Sequence, residues 1–157
     1  MIEYISRNAD DTNAIGIAIG TVARPGLIIT LNGDLGVGKT VLARGIGRGL
    51  GVDAPITSPT FTILHQYKGR LPFYHFDMYR LSDEEEIFEL GFEDFIYGDG
   101  VSVIEWPENM GVYHPDKYVQ IDIERIDDNT RKIIINVIGD EFKWLEERLQ
   151  KYVSTCN

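Results

Sequence analysis

The sequence has few of the residues from which disulfide frameworks, zinc sites and nucleic-acid surfaces are built. Its one cysteine, Cys156, has no partner for an intrachain disulfide, so a reducing, cytoplasmic location is expected. The three histidines and this cysteine show no zinc-type spacing. Lys and Arg number 15 against 25 Asp and Glu, for a net charge of −10. Because nucleic-acid affinity comes from cations that replace counterions, tight binding of RNA or DNA by the chain alone is not expected.

Long apolar runs are also missing. No run approaches the roughly 20 residues of a membrane-spanning helix, so no membrane association is expected. The first residues, Met1 to Arg7, show no charged region followed by an apolar core, so no secretory signal is expected either. The 157 residues are 43% hydrophobic, which suffices for one domain with a substantial core. No repeat or linker interrupts them, and a single domain over residues 1–157 is predicted.

A glycine loop is the most informative stretch that is present. The segment from Gly33 to Thr40 reads GDLGVGKT and fits the phosphate-binding pattern G-x-x-x-x-G-K-[ST] at every position. An apolar, β-branched run from Leu27 to Leu31 precedes it and predicts a buried strand. The residues from Val41 onward predict a helix. The order of strand, glycine loop and helix is the context that this motif needs.

The chemistry of the loop indicates a nucleotide site. Glycines allow successive backbone N–H groups to point at one anion, and the following helix adds its unpaired N–H groups and its positive dipole end. Lys39 would place a cation against the β- and γ-phosphates. The Thr40 hydroxyl would be a ligand of Mg²⁺.

Hydrophobic patterns predict the elements around the loop. A short strand at Ile2–Tyr4 leads into a helix for which Asp10, Asp11 and Thr12 supply capping side chains. A first hairpin pairs residues 61–67 with residues 73–79, and a second pairs 118–126 with 132–138. A helix with a capping box formed by Ser82 and Glu85 follows the first hairpin. A last helix presents Phe142, Leu145, Leu149 and Tyr152 on one side.

Three alternate glycines occupy the helix after the loop. Gly45, Gly47 and Gly49 each cost up to about 1 kcal/mol relative to alanine in a helix. They favour either close packing of another backbone or an irregular last turn that ends at Gly51. The sequence does not decide between these two structures.

Acidic residues near strand ends are candidates for the metal site. Residues 100–107 form a short apolar strand that ends in Glu105 and is stopped by Pro107, the position at which nucleotide-hydrolysing enzymes carry a Mg²⁺-binding acid. His75 and Asp77 share one face of their predicted strand and could lie side by side, although a structural histidine is the more common outcome. Trp106 either stacks near the site or packs in the core, and the core is favoured.

Four sequence blocks together resemble the bacterial TsaE (YjeE) ATPase family, which takes part in threonylcarbamoyladenosine modification of tRNA. They are the glycine loop, Thr57–Phe61 (TSPTF), Tyr74–Arg80 (YHFDMYR) and Ile104–Pro107 (IEWP). The resemblance implies an α/β, P-loop NTPase-like three-layer fold with a mixed central sheet and two β-hairpins. The glycine-rich helix departs from the usual family pattern.

The resemblance also implies roles for individual residues. Thr40 and Glu105 would hold Mg²⁺, while Asp77 and Thr60 would sense the γ-phosphate or position water; with Glu105 they are the candidate catalytic residues. Thr12 would lie on the adenine side and Arg131 near the nucleotide. The residues expected to bind ATP directly are Thr12, Gly33, Asp34, Leu35, Gly36, Val37, Gly38, Lys39, Thr40, Val41 and Arg131.

The family acts with two partner proteins that carry the modifying chemistry, and ATP hydrolysis is thought to reset that complex between turnovers. The resemblance therefore implies a Mg-dependent ATPase that is weak alone. The net charge of −10 predicts that the chain does not bind tRNA tightly by itself.

Three other functions compete with this one. A small-molecule or nucleotide kinase usually brings several arginines over the phosphates, whereas here only Arg44 and Arg48 lie close together. A regulatory GTPase would need an Asn-Lys-x-Asp motif and an Asp-x-x-Gly motif, and the sequence has neither. A nucleotide-bound interaction module without turnover stays open, because no single residue stands out as a strong base.

Overall fold

A computed structural model describes the backbone of residues 1–156 and the side chains of residues 1–154. The side chain of Cys156, predicted to be an incidental tail residue, lies outside those described. The elements in chain order are β1 Ile2–Ser6, α1 Ala9–Val22, β2 Ile28–Asn32, α2 Lys39–Gly49, β3 Leu64–Lys68, β4 Pro72–Asp77, α3 Glu84–Leu90, α4 Phe92–Ile96, β5 Val101–Glu105, a 3₁₀ helix Pro107–Tyr113, β6 Tyr118–Arg125, β7 Arg131–Ile138 and α5 Lys143–Cys156.

One mixed sheet of seven strands organises the described chain. Its order is β1-β7-β6-β2-β5-β4-β3. The four central strands β6, β2, β5 and β4 are parallel, whereas β1, β7 and β3 join antiparallel at the two sides. Both predicted hairpins are present, as β3–β4 and β6–β7. The carboxyl ends of β2, β4 and β5 therefore meet at the same edge of the sheet.

Helices cover both faces of this sheet, as predicted. Strand β4 shows the division, because neighbouring residues of a strand point to opposite faces. A Cβ on Gly47 of α2 would lie 3.0 Å from the ring of Phe73. On the other face, the ring of Phe76 packs edge-to-face on Phe92 of α4 at 5.0 Å. The buried apolar side chains of the three layers form the core.

Glycines bring the backbones of α1 and α2 into contact. Gly16 lies against α2, and a Cβ added to it would meet Leu42 O at 2.7 Å and the Cα of Gly45 at 2.9 Å. A Cβ on Gly45 would come within 2.5 Å of Asn13 O. Gly20 and Gly49 form the same contact one turn further along. Of the two structures that the sequence left open, close packing of another backbone is adopted at Gly45 and Gly49, whereas Gly47 lies against the side chains of Ile56 and Phe73.

The turn of the first hairpin joins the carboxyl ends of these two helices. Arg70 donates from Nη2 to the carbonyl oxygens of Gly20 and Ala23, both at 2.9 Å. Its backbone N–H donates to Leu50 O at 2.6 Å. Because the last carbonyls of a helix have no partner within the helix, this arginine satisfies groups that would otherwise need water.

Two predicted helix caps are wrong by one or a few residues. Asn8 caps α1 and accepts from Asp11 N at 2.8 Å, so Asp10, Asp11 and Thr12 lie inside the helix. Asp83 caps α3 and accepts from Glu86 N, while Ser82 bonds the Glu86 carboxylate instead of Glu85. In both places several adjacent polar residues could cap the helix, and the apolar pattern does not choose among them.

The first hairpin begins later than predicted. Strand β3 starts only at Leu64, because Ile63 has a φ of +68° and therefore cannot be part of an extended strand. The preceding residues form a turn in which Ile63 N donates to Pro59 O at 2.8 Å. Phe61, predicted to lie in the strand, is 83% exposed, and its ring stacks under the Arg80 guanidinium at 4.5 Å.

Candidate functional site

Two clefts flank the Gly33–Thr40 loop at the carboxyl edge of the sheet. The first has a volume of about 290 Å³ and lies between this loop, the ends of β4 and β5, and the Ser58–Thr60 turn. The second, of about 230 Å³, lies between the loop, the start of α1 and the β6–β7 turn. Gly36, Gly38 and Val41 line both clefts, so the two are adjacent sides of one loop.

The loop has the conformation for which its glycines are needed. Gly33, Gly36 and Gly38 have φ values of +149°, +76° and +123°, which side chains rarely allow. Gly38 is also the residue that begins α2 without a side-chain cap, so the first N–H groups of that helix are left for a ligand. Gly33 carries a second constraint, because a Cβ there would lie 2.8 Å from Ile123 O.

Lys39 is buried beneath the loop that it follows. Its ammonium group donates to Gly33 O at 2.8 Å and sits 3.7 Å from the centre of the Trp106 ring. Burial lowers the pKa of Lys39 below its ordinary value, and the carboxylates of Glu105 and Asp77 oppose part of that effect. Trp106 was expected in the core. It is instead half-buried against this cation and lines the first cleft.

Two buried carboxylates face Lys39 from neighbouring parallel strands. Asp77 ends β4 and Glu105 ends β5, and the two are register partners, each 4% exposed. Asp77 accepts from the Thr60 hydroxyl at 3.2 Å and from Tyr79 N at 2.9 Å. The hydroxyl of Thr60 also lies 2.8 Å from that of Ser58, which links the exposed turn to the sheet edge.

Glu105 has a partner that the sequence did not reveal. His75 is fully buried, and its Nε2 lies 2.6 Å from Glu105 Oε2. Its Nδ1 has no hydrogen-bond partner among the described residues, so the ring is best assigned as donating from Nε2. The sequence placed His75 beside Asp77. The link to Glu105 follows from the pairing of β4 with β5, which the sequence did not specify.

Thr12 and Arg131 come together at the second cleft. Arg131 donates from Nε to Val37 O at 2.8 Å and from Nη1 to Asp127 O at 2.8 Å, so it fastens the loop to the β6–β7 turn. Thr12 is buried, with its hydroxyl 2.7 Å from that of Ser6. Asn8, Ala9, Asp128 and Asn129 also line this cleft, and no motif in the sequence marks them.

The structure thus gathers most of the predicted residues around the loop. Gly33 and Asp34 stand apart, because they line neither cleft and form the base of the loop, where Asp34 O accepts from Val37 N at 3.2 Å. Ser58 and Tyr79 line the first cleft and were not predicted. The members of the predicted set in the first cleft are Leu35, Gly36, Gly38, Lys39, Thr40, Val41, Thr60, Asp77 and Glu105.

The donor set suits a magnesium ion better than a transition metal. Within the described residues there is no group of three or more His, Cys, Asp and Glu side chains that could hold a metal unaided. Mg²⁺ usually takes one or two protein oxygens and completes its shell with water and phosphate oxygens. The Thr40 hydroxyl and the Glu105 carboxylate, on the same cleft, are oxygen donors of that kind.

Comparisons with known proteins identify the family of the chain. The model of the family described as "Threonylcarbamoyl adenosine biosynthesis protein TsaE" matches residues 6–133, a span that includes every residue predicted for the site. The tRNA threonylcarbamoyladenosine biosynthesis protein TsaE of Bacillus subtilis is 38% identical over 157 residues, covering 99% of this chain and 98% of that protein. The protein of the same name from Treponema pallidum is 41% identical over 131 residues, covering 83% and 97%.

A solved structure extends the similarity to three dimensions. The crystal structure of Bacillus subtilis YdiB superposes with a TM-score of 0.81 at 34% identity, covering 96% of this chain and 95% of that one. In the part of the chain that the structure describes, no helix is both long enough and apolar enough to cross a membrane. The family model and the curated relatives together show that the chain belongs to the TsaE family.

Proposed function

We propose that this chain is the ATP-binding and ATP-hydrolysing subunit of the bacterial complex that makes N6-threonylcarbamoyladenosine at position 37 of tRNA. Its relatives are named for the biosynthesis of that nucleoside. The observation that carries the nucleotide part is the loop itself, in which three glycines with positive φ surround a buried lysine beside two carboxylates. Hydrolysis of Mg-ATP would reset the complex between turnovers, together with two partner proteins.

Each side chain of the first cleft has a role in this proposal. Lys39 would exchange its bond to Gly33 O for the β- and γ-phosphate oxygens. Thr40 and Glu105 would hold Mg²⁺, which supplies neutralisation of the phosphate charge when bound. Asp77, through Thr60, would orient the attacking water or sense the γ-phosphate. The second cleft, with Thr12 and Arg131, would receive the adenosine end.

Nucleotide binding is tested by calorimetry with Mg-ATP and Mg-ADP. Lys39→Ala should abolish measurable binding, because it removes the ammonium group proposed to bind the β- and γ-phosphates in the first cleft. Lys68→Ala is the matched control, since Lys68 is exposed at the end of β3. Unchanged ATP affinity in Lys39→Ala would refute the assignment of the loop.

The metal assignment is tested separately. Glu105→Gln should weaken the Mg²⁺ dependence of nucleotide binding, whereas Glu124→Gln, at an exposed position of β6, should leave it as in the parent. Equal magnesium titrations for parent and Glu105→Gln would make Glu105 a structural residue only.

The product of ATP turnover separates this proposal from the kinase alternative. The two neighbouring arginines contact the loop after α2, since Arg44 donates to Ile56 O and Arg48 to the carbonyl oxygens of Val52 and Ala54. They are therefore not disposed over the first cleft as a kinase lid would be. Phosphate release that increases with the partner proteins is expected, whereas a phosphorylated metabolite formed by the purified chain would favour a kinase.

A further inference from the structure

A recess flanked by exposed hydrophobic side chains lies on the face of the sheet opposite α1 and α2. The recess has a volume of about 380 Å³ between α3, α4 and the 3₁₀ helix, and Phe88, Phe92 and Tyr113 supply its apolar walls. Phe88 is 71% exposed, and Val112, next to Tyr113, is 79% exposed. Aromatic side chains that protrude beside a recess are typical of protein interaction sites. Phe88, Val112, Tyr113 and this recess are called the α3 face below.

The net negative charge of the chain comes from the segment that contains the α3 face. Residues 81–116 hold 11 acidic side chains and no Lys or Arg, whereas the other 121 residues hold 14 acidic and 15 basic ones. Glu93 and Asp94 line the recess itself, and Glu85 and Glu89 are exposed on α3. The rest of the chain is therefore close to neutral, and the net charge of −10 arises from residues 81–116, which include α3, α4 and the 3₁₀ helix.

This distribution selects among the possible occupants. Nucleic acid and an anionic membrane would be repelled by an acidic rim. A second copy of the chain would bring two acidic rims together, and like charges at an interface cost affinity. The occupant that complements both the apolar and the charged parts is a protein surface with an apolar projection or recess ringed by Lys and Arg.

The α3 face is also connected to the site. The 3₁₀ helix begins two residues after Glu105, and Asn109 donates to Met78 O, next to Asp77, at 2.9 Å. Val112 N donates to Glu84 Oε1 at 3.3 Å, which joins the 3₁₀ helix to α3. A protein bound on the α3 face would therefore contact the two segments that continue from the buried carboxylates.

We propose that the α3 face docks a basic-rimmed partner protein of the threonylcarbamoyl-transfer complex, with Phe88 as its apolar anchor. This inference rests on the proposed function for the identity of the partner. Electrostatic attraction to the acidic rim would raise the rate of association, and burial of Phe88 would slow dissociation.

The test measures binding of the full chain to the two purified partner proteins by biolayer interferometry, with Mg-ATP, at several salt concentrations. Phe88→Ala should weaken binding by about ten-fold or more, mainly through faster dissociation. Its control is Ile126→Ala, an exposed apolar residue after β6. A triple variant with Glu85, Glu89 and Glu93 changed to Gln should associate several-fold more slowly and lose most of the salt dependence, on the order of the effects seen for rim charges. Its control changes Asp53→Asn, Glu124→Gln and Glu147→Gln, all exposed and outside residues 81–116.

The outcomes separate the two proposals. Loss of binding in the α3-face variants alone supports the docking surface. If these variants bind as the parent does, the surface is refuted while the proposed function stands. A parent that binds neither partner refutes both, and calorimetry with Mg-ATP then shows whether the nucleotide site survives. Self-association through Phe88 in sedimentation velocity, or a tRNA gel shift that Phe88→Ala abolishes, would also overturn the proposed occupant.

Discussion

At the scale of single residues, Lys39 combines a functional position with an energetic cost. Lys39 as a whole is 5% exposed, so its ammonium group has lost hydration, and contacts with Gly33 O and the Trp106 ring replace part of it. Such residues are common at binding sites, where the ligand supplies the missing stabilisation. In the absence of nucleotide, Lys39 should therefore weaken the fold at neutral pH.

The lowered pKa of Lys39 gives this cost a pH dependence of known sign. The unfolded chain, with a lysine pKa near 10.5, binds more protons than the folded chain between the lowered pKa and that value. The free energy of unfolding therefore rises with pH in this window, while below it the cost is fully present. Relative to Lys39→Met, the parent should gain stability as pH rises toward 10.5. Urea unfolding of both proteins at several pH values measures this, and a constant difference would contradict it.

His75 should act on Glu105 by fixing the orientation of its carboxylate. His75→Ala removes the donor and leaves a cavity, so a loss of about 2–4 kcal/mol in the free energy of unfolding is expected. The variant should also bind Mn²⁺, a spectroscopic substitute for Mg²⁺, several-fold more weakly in the nucleotide complex. His75→Gln, which retains an N–H donor, should restore part of the metal affinity.

A second buried polar residue provides the control for His75. The hydroxyl of Thr30, in the middle of β2, is buried and has no hydrogen-bond partner among the described residues. Thr30→Val should leave metal affinity unchanged and be neutral or slightly stabilising, because an unpaired hydroxyl is replaced by a methyl group of the same shape. Equal metal affinity in His75→Ala and the parent, measured by electron paramagnetic resonance, would make His75 a core residue only.

At the scale of elements, the α1–α2 contact shows how helix propensity yields to packing. Four glycines cost helix stability in isolation, yet each occupies a place where a Cβ would meet the backbone of the other helix. Gly45→Ala should improve the intrinsic propensity by about 1 kcal/mol and still lower the melting temperature. The added Cβ would lie 2.5 Å from Asn13 O and 3.0 Å from the Cα of Gly16, so α1 must move away from α2.

Gly98→Ala is the matched control for Gly45→Ala. Gly98 follows α4, and an added Cβ there would contact only carbonyl oxygens of its own turn, at 3.1 and 3.5 Å. Calorimetric melting should show a drop of several degrees for Gly45→Ala and little change for Gly98→Ala. Equal melting temperatures would mean that α1 and α2 can separate without cost.

The elements also show what sequence patterns can and cannot predict. The glycine loop, β5 and both hairpins were predicted because local residue order determines them. Two features depended on tertiary structure and were not predicted, namely the His75–Glu105 pair and the part of the second cleft formed by Asn8, Ala9, Asp128 and Asn129. Stacking of Trp106 near the site was the less favoured of two alternatives, and the structure places its ring against Lys39. The start of β3 was misplaced because alternation continues through Phe61 and Ile63, while the positive φ of Ile63 is set by the tertiary turn.

At the scale of the whole molecule, the net negative charge predicts how the protein interacts with tRNA. A chain with a net charge of −10 has no surplus of cations with which to displace counterions from a phosphate backbone. The isolated protein should show no tRNA gel shift at physiological salt and micromolar concentration. A shift at low protein concentration would contradict this, and a control with a basic tRNA-binding protein confirms that the assay detects complexes.

The glycine contact between α1 and α2 also has a consequence for ligand choice. Thr12 stands on the first of these helices and Lys39 begins the second, and the two backbones are in direct contact at Gly16 with Gly45 and at Gly20 with Gly49. Arg70 binds Gly20 O near the end of α1 and Leu50 O after α2, so it also links the carboxyl ends of the two helices. We therefore expect a nucleotide that bridges both clefts to be selected by the length of its phosphate tail, because these contacts oppose a change in the distance between Thr12 and Lys39.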